Sequence, residues 1–167
     1  GIYIGKRSDF NTFNSNTISN NSNYGICLSG SKSNNLYSNT LKNNGIFISG
    51  NALSNYNTHT IPINNTVNGK PVRYIVNQTD IKVPSGAGQV IVVNSTNITV
   101  ENQSLNNASV GLVVAYSDNL TAKNLTIRDN SQKDIHLYKS KNAVIINSTF
   151  SSSKVSCDST SKLTVKN

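Results

Sequence analysis

Short runs in which every second residue is apolar recur along the chain. Alternation with a period of two is typical of a β-strand, because its successive side chains point to opposite faces. Successive runs start about 20–24 residues apart, except for one gap of about twice that length. The runs are GIYI (1–4), GICL (25–28), GIFI (45–48), QVIVV (89–93), GLVV (111–114), DIHL (134–137) and KVSC (154–157). Units of this length predict a coil of stacked strands.

Each run supplies two alternate apolar residues that we expect to point into the coil. Strands on successive turns of such a coil lie parallel and about 4.8 Å apart, so equivalent side chains form ladders. A single turn can bury its apolar face only against a near copy of itself. The predicted inward pairs are Ile2/Ile4, Ile26/Leu28, Ile46/Ile48, Val90/Val92, Leu112/Val114, Ile135/Leu137 and Val155/Cys157. The sequence predicts an all-β, right-handed parallel β-helix, a single-stranded solenoid of about six or seven turns.

Asparagine pairs spaced five residues apart follow most of the runs. Asparagine tolerates left-handed backbone angles at corners, and its amide can bond to the amides of the turns above and below. The pairs are Asn11/Asn16, Asn34/Asn39, Asn97/Asn102, Asn119/Asn124 and Asn142/Asn147. We expect them to form structural ladders rather than a row of sugar-binding amides.

The repeat breaks between the third and fourth runs. All three prolines of the chain, Pro62, Pro71 and Pro84, fall in this stretch, and VNGKPV contains an Asn-Gly pair that predicts a tight hairpin turn. We therefore expect one domain, 1–167, with N-terminal coils (1–54), an irregular insertion with a β-hairpin (55–88) and C-terminal coils (89–167). This domain is predicted to belong to a longer or polymerising surface protein.

The outward positions of the runs form an apolar stripe. A contiguous apolar stripe needs a cover, so we expect the inserted hairpin or a partner to lie across it. The stripe consists of Tyr3, Cys27, Phe47, Ile91 and Val113.

Charge and composition narrow the classes of function. The net charge is +8, but the basic residues are scattered and not interleaved with aromatic ones, so we expect no nucleic-acid partner. No apolar stretch is long enough to span a membrane, so we expect no membrane span in this chain. Cys27 and Cys157 lie far apart without the spacing of metal ligands. We expect no metal and no cofactor.

Candidate catalytic groups are few. Polysaccharide-cleaving β-helices need carboxylates that converge on one face, whereas the seven acidic residues here scatter over the repeat. The nearest approach to a site is a polar cluster of His136, Tyr138 and Asp158, with Asp134 and Lys139 close by. We interpret it as a polar outward face and expect no catalytic residue. His59 is expected to be a loop residue rather than a ligand.

Sequons for N-glycosylation are abundant, and several coincide with the predicted ladders. Asn64, Asn77 and Asn107 fall in predicted loops and are the better glycosylation candidates. Sugar on a ladder residue such as Asn124 would contradict the stacking.

One part of the chain resembles a known family. HTIPINNTVNGKPVRYI (59–75), followed by VPSGAGQVIVVNSTNITVENQSLNNASVGLVVAYSDN (83–119), resembles a segment of NosD-like parallel β-helix surface proteins of archaea, within the carbohydrate-binding and sugar-hydrolase β-helices. The resemblance implies a secreted or cell-surface β-helix, often one module of a longer protein, and the sequons add the expectation of a glycoprotein. The copper-maturation role of one branch does not carry over, because the chain has no Met, two His and two distant Cys.

The predicted function is a non-catalytic structural or interaction module of a cell-surface protein. Neighbouring β-helix modules or identical subunits, stacked end to end into a filament or surface layer, are the expected partners, together with glycans or cell wall. A carbohydrate-binding module is the first alternative, with Tyr74, Tyr116 and Tyr138 as aromatic platforms. A polysaccharide lyase or hydrolase is the second.

Overall fold

Short stacked strands make up almost all of the regular structure. The computed structural model describes residues 1–150 and 155–167. The strands are β1 (Ile2–Ile4), β2 (Thr12–Asn14), β3 (Thr17–Ser19), β4 (Ile26–Ser29), β5 (Asn35–Tyr37), β6 (Thr40–Lys42), β7 (Ile46–Ser49), β8 (Thr66–Val67), β9 (Lys70–Val76), β10 (Gln89–Val93), β11 (Thr99–Glu101), β12 (Val110–Ala115), β13 (Thr121–Lys123), β14 (Thr126–Ile127), β15 (Lys133–Tyr138), β16 (Lys141–Ile146), β17 (Thr149–Phe150), β18 (Val155–Asp158) and β19 (Ser161–Lys166). One short helix, α1 (Ser54–Asn57), follows β7. The predicted class, an all-β parallel solenoid, is confirmed with about 7 turns.

The first coils form one three-sided stack. Its sheets are β1–β4–β7, β2–β5 and β3–β6–β8, all paired in parallel. Ile2 pairs with Ile26, and Ile26 with Ile46, as the alternation predicts. Ile26 and Ile46 are fully buried, whereas Ile2, at the end of the stack, is half-buried.

The later coils form a second three-sided stack. Its sheets are β9–β10–β12–β15–β18, β11–β13–β16–β19 and β14–β17. Val90 pairs with Leu112, which continues through Ile135 to Val155. Cys157, predicted to point inward, is exposed, because β18 is the last strand of its sheet and has a neighbour on one side only. The predicted run at 154–157 begins at Lys154, which lies outside the described residues.

A hairpin joins the two stacks. β8 and β9 pair antiparallel through a turn at Asn68 and Gly69, whose φ angles are 52° and 76°. Positive φ at both positions is the geometry that an Asn-Gly hairpin turn requires. The predicted hairpin is therefore present, but it does not project from the coil. It lies within an eight-stranded sheet, β18–β15–β12–β10–β9–β8–β6–β3, which runs through both stacks.

The reversal of strand direction at this hairpin moves the core to the other face of the sheet. Val90 and Val92 of β10 belong to the buried cluster of the second stack, whereas Ile91 and Val93 belong to the cluster that contains Ile46. The strands reverse direction while the coil keeps the same handedness. The interior of the coil must therefore lie on the opposite face of the sheet. A single ladder from Ile46 to Val90, which the repeat implied, is therefore not formed.

The apolar stripe has a cover, but the expected source of that cover was wrong. Ile91 and Val113 are fully buried in the cluster of the first stack, so the two halves of the chain cover each other. Cys27 is buried, and Tyr24 stacks on Phe47 with ring centroids 4.6 Å apart. Tyr3 alone stays 70% exposed. The inserted hairpin lies in the plane of the sheet rather than across it.

The free edge of β7 is closed by side chains instead of a strand. Gln89 accepts a hydrogen bond from the Ile46 backbone N–H (2.9 Å) and donates to the Ile46 carbonyl (2.7 Å) and the Val110 carbonyl (2.8 Å). Ser109 Oγ accepts from the Gly45 backbone N–H at 2.8 Å. The Gln89 amide thus takes the place of a peptide group of the next strand.

Asparagine ladders run along the corners of the first stack. Amide-to-amide hydrogen bonds of 2.9–3.0 Å join Asn11 to Asn34, Asn16 to Asn39, Asn39 to Asn65 and Asn21 to Asn44. The acceptor oxygen also receives the backbone N–H of the residue below, as Asn39 Oδ1 does from Asn16. Asn34, Asn39, Asn44 and Asn65 are fully buried. The predicted pairing holds here, with a third ladder at Asn21 and Asn44 in addition.

The predicted asparagines of the second stack belong to a different class. Asn97, Asn102, Asn119 and Asn124 are exposed, have φ between 53° and 56°, and join across coils by single bonds of 3.1 Å. Asn142 donates to Asp118 Oδ1 (3.0 Å) rather than to an asparagine, and Asn147 is exposed. In the first stack the left-handed residue precedes the ladder asparagine, as Ser38 precedes Asn39. Here asparagine itself is the left-handed residue.

Replacing a buried ladder asparagine of the first stack (an inner asparagine) should cost far more stability than replacing an exposed, left-handed asparagine of the second stack (an outer asparagine). Asn39→Ala removes four side-chain hydrogen bonds at a buried position and leaves partners on two coils unpaired. We expect a loss of about 3 kcal/mol in the free energy of unfolding, measured by denaturant titration. The matched control, Asn124→Gly, keeps a residue that accepts positive φ and should cost under about 1 kcal/mol. Equal losses would contradict the two classes.

The Gln89 cap gives a second test. Gln89→Leu keeps the size of the side chain but leaves the Ile46 N–H and C=O without partners, so we expect a loss of about 3 kcal/mol. Hydrogen exchange at the Ile46 amide should become faster. The control is Gln103→Leu, which removes the buried bonds to Ala87 and Pro84 inside the second stack. It should leave exchange at Ile46 unchanged, and an unchanged Ile46 amide in Gln89→Leu would refute the capping role.

Candidate functional site

Four polar side chains of β15 and β18 meet near the end of the eight-stranded sheet. The register pairs His136 with Ser156 and Tyr138 with Asp158. Lys133 Nζ donates to Ser156 Oγ (2.8 Å), which donates to Asp158 Oδ2 (2.9 Å). His136 Nδ1 lies 3.4 Å from the same carboxylate oxygen. We call Lys133, His136, Ser156 and Asp158 the β15–β18 cluster.

His136 is buried rather than on the surface. Phe47 of the first stack packs against it with ring centroids 5.7 Å apart, and the residue is only 4% exposed. Burial and, to a smaller extent, the Lys133 ammonium lower the pKa of His136, which Asp158 partly opposes, and the resulting value is about 4. The imidazole is therefore neutral at pH 7, and its Nδ1 accepts a hydrogen bond from Lys133 Nζ at 3.2 Å.

The cluster lacks the geometry of a nucleophilic triad. In a Ser-His-Asp triad the carboxylate holds one ring nitrogen while the other takes the serine proton. Here Ser156, Asp158 and Lys133 all approach the same atom, His136 Nδ1. A histidine with a pKa near 4 is also a weak general base at neutral pH. The arrangement suits a fixed polar contact beneath the first stack.

The remaining carboxylates also serve structural contacts. Asp134 is fully buried and accepts a hydrogen bond from Asn130 Nδ2 at 3.0 Å. Glu101 lies between Lys82 and Lys123, 2.6 Å from the latter, and hydrogen bonds from Lys123 and then Lys82 lower its pKa. Within residues 1–150 and 155–167, no group of three His, Cys, Asp or Glu side chains is placed to hold a metal ion.

The three tyrosines predicted as sugar platforms are half-buried and pack against the core of the first stack. Tyr138 stacks on the buried ring of Tyr56 with centroids 5.5 Å apart, and Tyr116 meets Tyr56 edge-on at 5.5 Å. Tyr74 donates its hydroxyl hydrogen bond to the Tyr56 carbonyl. Lys139 Nζ lies over Tyr116 and Tyr138, 5.3 and 5.4 Å from the ring centroids. Tyr74 also lines a cavity of about 520 Å³ together with Pro62 and Ile75.

His59 proves to be part of a corner ladder. It is buried, its Nδ1 accepts the Asn34 backbone N–H at 3.2 Å, and its Nε2 donates to the Asn55 carbonyl at 2.9 Å. Burial lowers its pKa. The imidazole thus continues the ladder of Asn11 and Asn34 into the third coil, a role that no local pattern in the sequence marks.

The glycosylation candidates are all exposed. Asn64 bonds to Ser38, donating to its hydroxyl at 3.2 Å, and Asn77 accepts from Asn94 at 2.8 Å. Asn107 is exposed with φ at 54°. Sugar at these three positions stays a prediction.

A basic groove at the first corner of the first stack was missed by the sequence analysis. It has a volume of about 540 Å³ and crosses three successive coils. Its lining consists of Lys6, Arg7, Asp9, Ser29, Gly30, Lys32, Ser49, Gly50, Asn51 and Asn55. We call this surface the first-corner groove. Lys6 and Arg7 are neighbours in the first coil, and only the stacking brings Lys32 of the second coil next to them, so the cluster was not evident from the sequence.

Comparisons with other proteins leave the fold as the main guide to function. No protein-family model matches the chain, and neither the curated proteins nor the solved structures include a match. The fold is compatible with a β-helix repeat protein. Among the helices of the described residues, none has the length and apolar character needed to cross a membrane.

Burial of His136 should make stability depend on pH. The pKa is about 4 in the folded chain against an ordinary value of 6.5, so the unfolded chain binds the proton first as the pH falls. The contribution is complete above pH 6.5 and is lost between pH 6.5 and 4, amounting to about 3 kcal/mol. Denaturant titrations of His136→Gln at pH 7.5 and 4.5 should show a smaller difference than the parent.

Other groups titrate in this range, His59 among them, so the comparison needs a control. Lys70→Gln alters an exposed residue and should keep the full difference between the two pH values. If His136→Gln shows the same pH difference as the parent, the buried neutral histidine is ruled out.

Proposed function

We propose that the chain is a non-catalytic structural and interaction module of an extracellular cell-surface protein. The observation that carries this proposal is the pair of unpaired strand edges at the end of the second stack. β18 and β19 are each the last strand of their sheet among the described residues. An open strand edge presents backbone donors and acceptors to any further strand. Another β-coil is the natural occupant, since it would continue all of the ladders at once.

Side chains at this end support docking of a further coil. Val155 and Leu163 are half-buried against the core of the second stack, and Val165 is 59% exposed. At the other end of the molecule, Ile2, Ile4 and Phe13 are half-buried in the same way. Each end therefore offers apolar side chains next to open strand edges.

The charge at the two ends bears on whether the neighbour is an identical subunit or a different β-helix module. The last coil carries Lys162 and Lys166, and the first coil carries Lys6 and Arg7. Two copies stacked end to end would bring like charges together, a repulsion that salt screens. A neighbouring β-helix module of different charge is therefore the preferred partner, with identical subunits favoured only at high ionic strength. The NosD-like resemblance and an archaeal cell-surface origin belong to this proposal.

The two alternatives receive unequal support. A polysaccharide lyase or hydrolase needs converging carboxylates, whereas Glu101 contacts lysines and Asp158 contacts Lys133, His136 and Ser156. A carbohydrate-binding module is the second candidate, and the observation that favours it is the first-corner groove. Its serines and asparagines offer hydroxyl and amide groups, which suit the hydroxyls of a sugar.

End-to-end docking has a direct test in solution. We expect reversible self-association that increases with concentration and with salt, measured by sedimentation equilibrium. Val165→Lys places a charge beside the open edge and should weaken association. The control Ile63→Lys makes the same kind of change at a residue that is 64% exposed but belongs to an internal coil, and should have no effect.

Two results would count against the proposal. A chain that stays monomeric at high concentration and high salt has no end that accepts a coil of its own type. Cleavage of a uronate polymer that Asp158→Asn abolishes would show an enzyme instead of a structural module.

A further inference from the structure

We propose that the first-corner groove binds an acidic polysaccharide whose chain runs along the solenoid axis. This inference deepens the carbohydrate-binding alternative by naming the class of sugar and the site. It is independent of docking at the strand edges, because the groove lies on the side of the first stack.

Three cations without ion-pair partners surround the groove. Lys6, Arg7 and Lys32 are exposed, and none of them forms an ion pair within the part of the chain that the structure describes. The one carboxylate of the lining, Asp9, accepts the Lys32 backbone N–H at 2.7 Å and is thereby held at the corner. Cations that no protein group neutralises create a positive potential, which attracts an anionic ligand.

A fourth cation adjoins the groove from the second stack. Lys139 Nζ donates to the carbonyl of Asn51, a lining residue, at 3.0 Å. A hydrogen bond with the Tyr116 hydroxyl raises the pKa of Lys139, so the ammonium stays charged. The positive surface thus extends from the first coil to the contact between the two stacks.

Glycines let neighbouring side chains lie close against the backbone at the floor of the groove. Gly30 has a φ of 66°, and a Cβ there would lie 2.9 Å from Lys6 Cγ, so the Lys6 side chain crosses the second coil. A Cβ at Gly50, in the third coil, would lie 2.5 Å from Asn55 Oδ1. Lys6 therefore lies over the second coil and Asn55 over the third, which holds the Lys6 side chain next to the groove.

The lining fits a saccharide better than other polyanions. Ser29, Ser49 and Asn51 carry hydroxyl and amide groups that can bond to sugar hydroxyls. Coils spaced by about 4.8 Å repeat these groups at close to the length of one sugar residue. No aromatic side chain lines the groove, whereas single-stranded nucleic acids usually stack their bases on aromatic rings. The cations then select carboxylate- or sulfate-bearing polymers.

The test is a binding titration with defined polymers. Isothermal titration at low salt compares polygalacturonate and chondroitin sulfate with neutral dextran and with a single-stranded oligodeoxythymidine. We expect the two acidic polysaccharides to bind and their affinity to fall as salt rises. Replacing Lys6, Arg7 and Lys32 together with Gln should weaken this binding by about tenfold or more.

A matched variant separates the site from the net charge. Lys42, Lys70 and Lys166 are exposed, form no ion pair among the described residues, and do not line the groove. Their triple replacement with Gln removes the same charge and should leave binding within about twofold of the parent. Circular dichroism should show that both variants remain folded.

Each other outcome overturns the inference in a distinguishable way. Equal losses in both triple variants would mean that net charge alone attracts the polymer. Equal binding of dextran would refute the acidic class while leaving a carbohydrate-binding module. Tighter binding of the oligonucleotide would assign the groove to nucleic acid. Binding of none of the four would reject both the site and the carbohydrate-binding alternative.

Discussion

The reversal of strand direction at Asn68 and Gly69 is the constraint on which the rest of the structure depends. Up to β8 the chain stacks in one direction, and from β9 onward the strands of the shared sheet run the opposite way. The sheet continues through the reversal, so its second half must use the opposite face for its core. That leaves Ile91 and Val113 facing the first stack, where they are fully buried. The residues of β10 and β12 are consequently apolar on both faces.

The edge of β7 in the first stack lies against the shared sheet of the second stack. Side chains of the second stack must therefore form the hydrogen bonds that the backbone groups at this edge lack. The edge of β7 meets the amide of Gln89 and the hydroxyl of Ser109 instead of another strand. Within the first stack, the amides of the buried asparagines satisfy backbone groups at corners where strands do not pair, as Asn39 does for Asn16 and Phe13. The outer asparagines have a different role, because they adopt the left-handed backbone conformation that an exposed corner requires. One residue type thus serves two purposes, with the same spacing of five.

These particulars show which features were predictable from the sequence. The alternation of Ile26 with Leu28 and of Leu112 with Val114 predicted the strands, their inward faces and their parallel stacking, because those depend on local periodicity. The Asn-Gly pair predicted the hairpin. The placement of Val90 in the core of the second stack, rather than in a ladder with Ile46, was not predictable. It follows from the change of core face at the hairpin, which is a property of the whole sheet. The third ladder had a signal, Asn21 and Asn44, five residues beyond Asn16 and Asn39. The contacts of Lys133 and Ser156 in the β15–β18 cluster depend on the register between these two strands, and no local pattern in the sequence marks either residue.

The distribution of charge links the fold to the proposed binding. A solenoid core of aliphatic side chains and amides needs no charge, so most charged residues lie at corners and outer faces, with Asp134 and Glu101 as buried exceptions among the described residues. The carboxylates are nevertheless held by the protein itself through hydrogen bonds or ion pairs, and the residues held in this way include Asp9, Asp80, Glu101, Asp118, Asp134 and Asp158. Lysines and arginines outnumber acids by 15 to 7, so many cations have no internal partner. The stacking of successive coils brings three of these cations, Lys6, Arg7 and Lys32, together in the first-corner groove. Asp9 is the carboxylate among the lining residues of this groove, so the groove keeps a net positive charge that attracts an anionic ligand.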